Sequence, residues 1–585
     1  MVNYMKKVFL ICILLFIAFF VSTCKPGASD GEYELHILST NDVHGTWFDY
    51  DYVMDVQVEK NSILSLNTLI QKFRDSVGKD NVVLVDAGDC LQGDNAPYYF
   101  NYIDTLSPHL FARIAEYMKY DAIAVGNHDI ETGHPVYDRV RKDLEDRGIP
   151  FLAANALRNK DNKPYFKPYT IVKRGGLKVA ILGYTNPNMK AWLDESLWSG
   201  MHFESLIPMV QNDVDRVRKV EKPDVVLVVA HSGVGEGDGE ILESQGMDLF
   251  NSLRGVDFLI CSHDHKAFVA QNDSICLLNS GSHSRNIAHG VLKMTIKRNK
   301  IKSKSISVEI IENNVPADSA MRSFFHDDYL KIRKFTTTPV GELSMDISTR
   351  DAFTGMSDYM NLIHTVGLVA TNADISIAAP LSYNKEIKAG EILYNDLFTF
   401  YPYENQLYVI SMTGKEIKDY LEYSYDGWIS TDSPDHLLKI QKRDDLRYSQ
   451  KGWSFVNRSY NFDSAAGIFY TVDTKKNRGE RINIISMANG APFSMDKSYD
   501  VAITSYRASG GGELLQKGAG IAPDKIAERI KERYSEYRDL IYKYILKSGP
   551  ITHEKISGER IIGGWKFIPE NEANKRIESD MDLLF

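Results

Sequence analysis

The chain has 585 residues, of which 43% are hydrophobic and 25% are charged, a balance typical of folded globular domains rather than of disordered chains or membrane bundles. A single hydrophobic core rarely grows beyond about 250–300 residues, so the length predicts two domains with flanking segments. The formal net charge of −10 excludes a general binder of nucleic-acid polymers, because such proteins hold phosphates with clustered lysines and arginines. An anionic small molecule can still bind where metal ions supply the local positive charge.

The N-terminus has the pattern of a signal peptide. Lys6 and Lys7 precede an unbroken apolar run of 14 residues, whereas a membrane-spanning helix needs about 20. The run ends in Val-Ser-Thr-Cys at residues 21–24, which resembles a bacterial lipoprotein box with an unusual Thr before the Cys. We therefore expect a signal peptide over residues 1–24 and a lipid anchor to a bacterial membrane at Cys24, with ordinary signal cleavage in the same region as the alternative. Both alternatives predict export to the periplasm or the cell surface.

A polar tether over residues 25–33 leads into a repeated pattern of an apolar run, a loop rich in Asp, His, Asn and Gly, and often an amphipathic helix. Near-continuous apolar runs are typical of strands buried on both faces, with helices packed outside, and they predict an α/β fold. In such folds ligands bind at the loops that follow the carboxyl ends of the strands. The predicted strands of this first domain, residues 34–310, are Leu35–Ser39, Val82–Val85, Ala122–Val125, Lys178–Leu182, Val225–Ala230, Phe258–Cys261 and Leu277–Leu278.

The pattern changes after residue 310. The changed pattern over residues 311–339 indicates a linker that contains one charged helix, Ala317–Lys334. A second domain follows over residues 340–550 and includes a helix near Tyr359–Thr371 and a strand over Asp374–Ala378. Residues 551–585 form a tail that ends in an acidic stretch with poor periodicity, and we expect it to be a loosely held extension.

Five loops after successive predicted strands carry oxygen and imidazole groups. One such loop alone is weak evidence, because a lone His at a strand end is usually structural. Burying so many Asp and His side chains together would cost several kcal/mol unless cations compensated their charges. Carboxylate, amide and imidazole groups without thiolates suit Mn, Zn, Fe or Co. The loops are Asn41–Gly45, Asp86–Asp89, Gly126–Asp129, Ala230–Gly233 and Ser262–His265.

The motif string DxH, GD, GNHD, H and HxH resembles the calcineurin-like metallophosphoesterases. The two-domain layout is similar to that of bacterial periplasmic 5′-nucleotidases and of 2′,3′-cyclic-nucleotide 2′-phosphodiesterase/3′-nucleotidases, over residues 34–548. The resemblance implies an N-terminal β-sandwich flanked by helices, a linker helix and a C-terminal α+β substrate-binding domain. It also implies that the two domains rotate against each other, with the helix near residues 317–334 as part of the hinge.

The resemblance implies a role for each motif residue. Two divalent ions are expected, and hydroxide generated at them attacks the phosphorus. The resemblance implies that Asp42, His44 and His265 bind the first ion, that Asn127, His231 and His263 bind the second, and that Asp89 bridges the two. His128 is expected to stabilise the transition state or protonate the leaving oxygen. Asp129 is expected to orient His128, or alternatively to cap the next helix.

The second domain carries features that suggest a nucleotide substrate. Tyr403 and Tyr506 map onto the family's loops that hold a nucleobase between two aromatic rings, and Asn405 is placed to hydrogen-bond the base. The arginine that 5′-nucleotidases carry after the strand near Asp374 is missing from AAPLSYN at residues 378–384, which leaves Arg507 as a candidate cation or a structural residue. AAPL and the later YNFD at residues 460–463 resemble the cyclic-nucleotide phosphodiesterase branch.

These features together predict an exported, monomeric two-metal phosphoesterase that hydrolyses nucleotides to nucleosides and phosphate. We place 2′,3′-cyclic and 3′-nucleotides ahead of 5′-nucleotides. The alternatives are a metallophosphoesterase for other phosphate esters and a catalytically silent surface-binding lipoprotein. The presence of every expected metal ligand argues against the silent protein.

Overall fold

The computed structural model describes residues 28–52, 56–239, 241–298, 300–403, 405–443, 451–558 and 562–585. The predicted signal peptide, Cys24 and the start of the tether lie outside these residues. The chain divides into two compact units. Unit 1 comprises the described parts of Met1–Tyr50, Gln57–Met189 and Glu195–Asp328, and unit 2 comprises those of Asp51–Val56, Lys190–Asp194 and Tyr329–Phe585. In the part of the chain that the structure describes, no helix is both long and apolar enough to span a bilayer.

The first 336 residues contain the following described elements. Strands β1–β16 are Gly31–Thr40, Tyr50–Asp51, Val56–Gln57, Val82–Asp86, Ala122–Ala124, Phe151–Leu152, Ala156–Arg158, Tyr169–Arg174, Leu177–Tyr184, Met201–Phe203, Val225–Ala230, Phe258–Ile260, Ala267–Gln271, Cys276–Ser280, Asn286–Ile296 and Ile301–Glu312. Helices α1–α10 are Ile63–Val77, Asn95–Tyr98, Leu110–Met118, Asn127–Glu131, His134–Glu145, Met189–Trp192, Leu206–Glu221, Gly246–Ser252, Ser319–Phe324 and His326–Thr336. Each strand predicted for the first domain is present.

Unit 1 is built on two six-stranded sheets. The first has the order β16-β15-β1-β4-β5-β6, in which β1, β4, β5 and β6 are parallel. The second has the order β13-β14-β12-β11-β9-β8, in which β14, β12, β11 and β9 are parallel. The predicted β-sandwich is therefore confirmed.

The packing of β11 explains its unbroken apolar sequence. Side chains alternate between the two faces of a strand. Leu227 and Val229 join Val83 and Val85 of β4 in the core between the sheets. Val226 and its even-numbered neighbours face the other way and pack with α7. Because both faces of the strand are covered, every position is apolar.

The linker differs from its prediction, because two helices replace the single one expected. Asp318 caps α9 by accepting hydrogen bonds from two backbone N–H groups, and α9 ends at Phe324. Phe325 leaves the helical conformation with φ −102° and ψ 16°. Its buried ring packs against Tyr117 and under the guanidinium of Arg113. Burial of this aromatic ring in unit 1 therefore breaks the helix.

Unit 2 is a mixed α+β domain. Strands β17–β30 are Pro339–Leu343, Ile347–Ser348, Ile375–Ala378, Glu386–Ile387, Gly390–Leu393, Gln406–Thr413, Ile440–Lys442, Trp453–Phe455, Ser464–Ala466, Ile468–Asp473, Ile482–Met487, Ser498–Thr504, Ile530–Glu536 and Gly563–Ile568. Helices α11–α18 are Asp358–Thr371, Asp396–Phe400, Gly414–Trp428, Ser505–Ala508, Pro523–Ile526, Tyr537–Ser548, His553–Gly558 and Glu570–Leu584. A five-stranded sheet has the order β25-β19-β28-β22-β29, and a three-stranded sheet has the order β27-β26-β30.

The prediction of a loosely held tail is wrong. Strand β30 pairs in parallel with β26, and helix α18 buries Ala573, Ile577 and Leu584 in the core of unit 2. The buried carboxylate of Asp580 accepts hydrogen bonds from the backbone N–H groups of Leu437 and Leu438, at 2.8 Å each. The few apolar residues of this acidic helix lie on one face, which is enough to attach it.

Candidate metal centre

The five loops singled out in the sequence follow β1, β4 and β5 of the first sheet and β11 and β12 of the second. Because neighbouring parallel strands end at the same edge, their loops meet there. The structure brings the predicted ligands together in two groups, in each of which the candidate donor atoms lie within 4.8 Å of one another. The first group is Asp42, His44 and His265, and the second is Asp89, His231 and His263.

In the first group three donor atoms converge. The Nε2 atoms of His44 and His265 are 2.9 Å apart. The Asp42 Oδ1 atom is 3.7 Å from His265 Nε2 and 4.0 Å from His44 Nε2. Two imidazole nitrogens and one carboxylate oxygen therefore face a common point.

The second group has the same character and includes the predicted amide ligand. The Asp89 Oδ2 atom is 3.1 Å from His231 Nε2. The Asn127 Oδ1 atom is 3.0 Å from His231 Nε2 and 2.9 Å from His263 Nδ1. Carboxylate, amide and imidazole donors in this arrangement suit a divalent transition metal.

Two of the candidate ligand histidines are oriented by backbone carbonyls, which leave no signal in the sequence. His231 Nδ1 lies 2.7 Å from the Ala87 carbonyl oxygen, and His44 Nδ1 lies 3.3 Å from that of Gln92. Each ring can donate Nδ1–H to its carbonyl and keep the Nε2 lone pair for a metal. The Ser262 hydroxyl, 3.0 Å from His231 Nδ1, adds a further contact.

The electrostatics of the site fit two cations. Asp42 and Asp89 are almost completely buried. Burial raises the pKa of Asp42 to about 8, and the negative charge of Asp89 acts in the same direction. Burial lowers the pKa of His263 to about 3, so this ring is a neutral donor near pH 7. Burial disfavours a charge on His231, but the Asp89 carboxylate outweighs it and the pKa of this ring is raised to about 9. The buried negative charge therefore attracts positive charge, which divalent ions would supply.

The backbone at the ligands is unusual. Asp42, His44, Asp89, His263 and His265 have positive φ angles of 48°, 44°, 60°, 72° and 58°. Such conformations cost of order 1–3 kcal/mol each in non-glycine residues and concentrate at functional sites. The fold therefore holds five candidate ligands in a backbone conformation that non-glycine residues rarely adopt.

Gly126 permits a close approach beside the Asp89 carboxylate. A Cβ atom at this position would lie 2.0 Å from Asp89 Oδ1. The His128 backbone N–H donates to the same oxygen at 2.8 Å. Glycine is therefore required for the Asn127 loop to reach the Asp89 loop.

The predicted role of Asp129 in orienting His128 is wrong. The Asp129 carboxylate accepts hydrogen bonds from backbone N–H groups of both loops. Asp129 does not cap the next helix either, because it lies within α4 and accepts from the N–H of Gly126, the residue before that helix. Its carboxylate instead joins the two loops. The donors are Gly126, Asp89, Cys90 and Leu91, at 2.8, 3.1, 2.9 and 3.0 Å.

Glu131, rather than Asp129, contacts the imidazole ring of His128. Its Oε2 atom lies 2.5 Å from His128 Nδ1. The His128 side chain is 35% exposed, and its ring centroid is 5.4 Å from that of His44, so it borders the first group. Glu131 could have been predicted from the sequence, because it follows His128 by three residues and residues with this spacing share a helix face.

The predicted base-binding tyrosines lie in unit 2. Tyr403 and Tyr506 are 41% and 39% exposed. Burial raises the pKa of the Tyr403 hydroxyl, and the nearby hydroxyls of Tyr460 and Tyr506 raise it further. The Asn405 side chain donates to the Tyr401 hydroxyl at 3.4 Å. Its contact with a base remains a prediction.

Arg507 is a structural residue, and the prediction that it binds substrate is wrong. The side chain is 4% exposed, and all five N–H groups have an acceptor within the protein. Two donate to the Asp463 carboxylate at 2.8 Å each, and two more donate to Asn461 Oδ1 and the Gly511 carbonyl. The fifth donates to the Tyr460 carbonyl. A saturated guanidinium has no donor left for phosphate.

Comparisons with known proteins agree with this organisation. Residues 35–267 match the model of the calcineurin-like phosphoesterases, and residues 334–517 match that of the 5′-nucleotidase C-terminal domain. The trifunctional nucleotide phosphoesterase YfkN of Bacillus subtilis is 24% identical over 94% of this chain, which spans 40% of the length of that relative. The 2′,3′-cyclic-nucleotide 2′-phosphodiesterase/3′-nucleotidase of Salmonella typhimurium is 23% identical, over 84% of this chain and 83% of its own length.

Solved structures show the same fold. A Staphylococcus aureus protein assigned as a 5′-nucleotidase has a TM-score of 0.72 and 18% identity, over 91% of this chain and 99% of its own. The 5′-nucleotidase precursor of Thermus thermophilus has a TM-score of 0.57 and 18% identity, over 92% and 100%. The chain is therefore similar to the calcineurin-like phosphoesterases over residues 35–267 and to the 5′-nucleotidase C-terminal domain over residues 334–517.

Proposed function

We propose that this chain is an exported phosphoesterase that uses two divalent metal ions to hydrolyse nucleotides to nucleosides and phosphate. The observation that carries the proposal is the convergence of two adjacent donor groups, Asp42 with His44 and His265, and Asp89 with His231 and His263. Two ions held side by side would clamp a phosphate, lower the pKa of water and stabilise the charge that develops on the phosphate oxygens.

The chain's own residues would complete the chemistry. The Glu131 Oε2 atom lies 2.5 Å from His128 Nδ1 and orients that ring. His128 would use its other nitrogen to stabilise negative charge or to protonate the departing ribose oxygen. Asp129 would contribute indirectly, since it fixes the loops that carry Asp89 and Asn127.

The preference for nucleotides rests on unit 2 and on the named relatives. Tyr403 and Tyr506 would hold the base by stacking, which contributes about 1–3 kcal/mol per base and accepts any base. Arg507 cannot replace the arginine missing from residues 378–384, because its donors are occupied. We therefore keep 2′,3′-cyclic and 3′-nucleotides ahead of 5′-nucleotides, in agreement with the name of the Salmonella relative.

Export is supported by the leader sequence alone. Lys6, Lys7 and the apolar run to Val21 form a signal peptide pattern, and Cys24 follows directly. We propose that the mature protein acts in the periplasm or at the cell surface, anchored through a lipid on Cys24. A Cys24→Ser variant expressed in a Gram-negative host should lose incorporation of labelled fatty acid, and retained incorporation would contradict the anchor.

The experiment that tests the activity is a phosphate-release screen. The purified protein is assayed with 2′,3′-cyclic, 3′- and 5′-adenosine phosphates and with p-nitrophenyl phosphate, with Mn, Zn or Co added separately. We expect nucleotide hydrolysis that a chelator abolishes and that Asp89→Asn removes. Equal turnover of p-nitrophenyl phosphate and nucleotides would favour the non-nucleotide alternative, and no turnover with any metal would favour a silent binding protein.

A further inference from the structure

The ion pair of Arg507 and Asp463 connects two loops of unit 2. Arg507 lies in the short helix α14, directly after β28, and Asp463 directly precedes β25. Their side chains are 4% and 1% exposed and form two parallel hydrogen bonds of 2.8 Å. The Tyr420 hydroxyl also donates to Asp463. A bidentate Arg–carboxylate pair fixes orientation as well as distance.

The pair holds Tyr506 in place on one side. The guanidinium carbon lies 5.2 Å from the centroid of the Tyr506 ring. Arg507 also donates to the Gly511 carbonyl at 3.0 Å. A Cβ atom on Gly511 would come within 2.4 Å of the Tyr506 ring, so the backbone here packs directly against the aromatic ring. Arg507 therefore fixes both the residue that carries this ring and the loop that packs on it.

On its other side the pair holds the turn Ser459–Asn461. Arg507 donates to the Tyr460 carbonyl and to Asn461 Oδ1, the latter at 2.9 Å. The Asn461 N–H donates to the Arg458 carbonyl at 3.0 Å and closes the turn. The Tyr460 hydroxyl is near enough to that of Tyr403 to contribute to its raised pKa, after burial. The Tyr460 carbonyl and the Tyr506 ring both lie against the Arg507 guanidinium. A Cβ atom on Gly512 would lie 2.5 Å from Asn461 Oδ1, so the turn that carries Tyr460 packs against the loop that follows Tyr506.

We propose that Arg507 and Asp463 form a clamp that fixes Tyr460 beside Tyr403 and Tyr506, and that Tyr460 is a third aromatic residue of the nucleoside-binding surface. The inference rests on the proposed nucleotide substrate. Tyr460 contacts the nucleoside, whereas Arg507 and Asp463 are positioning residues that act through the loops they connect. The ligand is the nucleoside part of the substrate, so a phosphate ester without a base gains nothing from Tyr460.

The test of Tyr460 uses the full-length, metal-loaded protein and two substrates, 3′-adenosine monophosphate and p-nitrophenyl phosphate. We expect Tyr460→Ala to raise KM for the nucleotide at least about fivefold, the lower limit for one lost stacking contact. The kcat for the nucleotide and the kcat/KM for p-nitrophenyl phosphate should stay unchanged. Tyr460→Phe keeps the ring and should restore KM. Phe469→Ala is the matched control, because Phe469 is 40% exposed on a strand of the other sheet.

The test of the clamp uses Asp463→Asn, which keeps the shape of the side chain and removes its charge. KM for the nucleotide should rise. The kcat for the nucleotide and the kcat/KM for p-nitrophenyl phosphate should stay unchanged. If this variant does not fold, Asn461→Ala decides the question, because it removes a single acceptor of Arg507 at a partly exposed site. A wild-type KM in the folded clamp variant would overturn the clamp.

The outcomes separate the two proposals. If the wild-type protein hydrolyses no nucleotide, the proposed function fails. If it hydrolyses nucleotides and Tyr403→Ala raises KM, but Tyr460→Ala leaves KM unchanged, the proposed function stands and Tyr460 is not part of the surface.

Discussion

Glu131→Gln tests whether the carboxylate beside His128 contributes to catalysis. The Glu131 Oε2 atom is 2.5 Å from His128 Nδ1, and glutamine keeps the shape while removing the charge. A hydrogen bond between charged groups is worth about 1.5–3 kcal/mol. Since 1.4 kcal/mol corresponds to a factor of ten in rate, we expect kcat to fall about 10- to 100-fold. KM should change little, because Glu131 is expected to act on the transition state through His128.

The assay is steady-state phosphate release with 3′-adenosine monophosphate at saturating metal. The matched control is Asp138→Asn, which disrupts a similar contact between Asp138 Oδ2 and His134 Nδ1, 3.0 Å apart and outside the donor groups. A double-mutant cycle with His128→Ala completes the test, because residues that act as a unit are not additive. Full wild-type kcat in Glu131→Gln, or a double variant whose losses simply multiply, would refute the reasoning.

Three further predictions concern the metal centre, stability and the C-terminus. Gly126→Ala should lower both the metal content, measured by mass spectrometry, and kcat, because the added Cβ would lie 2.0 Å from Asp89 Oδ1. Gly148→Ala is the control and should keep its metal, because its Cβ would have nothing within 4 Å. Burial lowers the pKa of His364 to about 3, between the hydroxyls of Ser376 and Ser464. Because the unfolded chain binds the proton more readily, the stability that neutral His364 provides should be full above pH 6.5 and lost as the pH falls towards 3, by up to about 1.4 kcal/mol per pH unit. Urea unfolding of metal-free protein should therefore show a smaller loss between pH 6.5 and 4.5 in a His364→Gln variant, and parallel losses would contradict this. Deletion of residues 562–585 removes α18 and exposes the core residues that pack against Ala573 and Ile577, so the melting temperature of the domain should fall by well over 10 °C. An unchanged melting curve would mean that α18 does not stabilise unit 2.

The sequence was informative where chemistry is local. Apolar runs such as Val225–Ala230 predicted strands, and the polar residues after them predicted the donor set that the structure brings together. The division into two sheets was not derivable from the runs themselves, because Leu35–Ser39 and Val225–Ala230 have the same apolar character. Pairing between strands distant in sequence decides which sheet each one joins, and only the family resemblance pointed to a sandwich.

Errors arose where several residue types were equally suited to one role. Asp129 and Glu131 both follow His128 within one helical turn, and only the coordinates show which carboxylate reaches the ring. Arg507 beside a glycine-rich loop has the composition of an anion site, but four of its five N–H groups donate to residues 460–463, more than 40 positions earlier. Helix α18 was missed because its burial depends on a surface that forms only when β26 and β30 pair.

Both sheets of unit 1 contribute candidate donor residues to the metal centre. Asp42, Asp89 and Asn127 follow strands of the first sheet, and His231 and His263 follow strands of the second. A cation that takes donors from both sides is thus a cross-link between the layers of the sandwich. Bound ions stabilise the folded state in proportion to the logarithm of their concentration over the dissociation constant. Scarcity of the metal would consequently shorten the lifetime of the protein as well as slow its turnover.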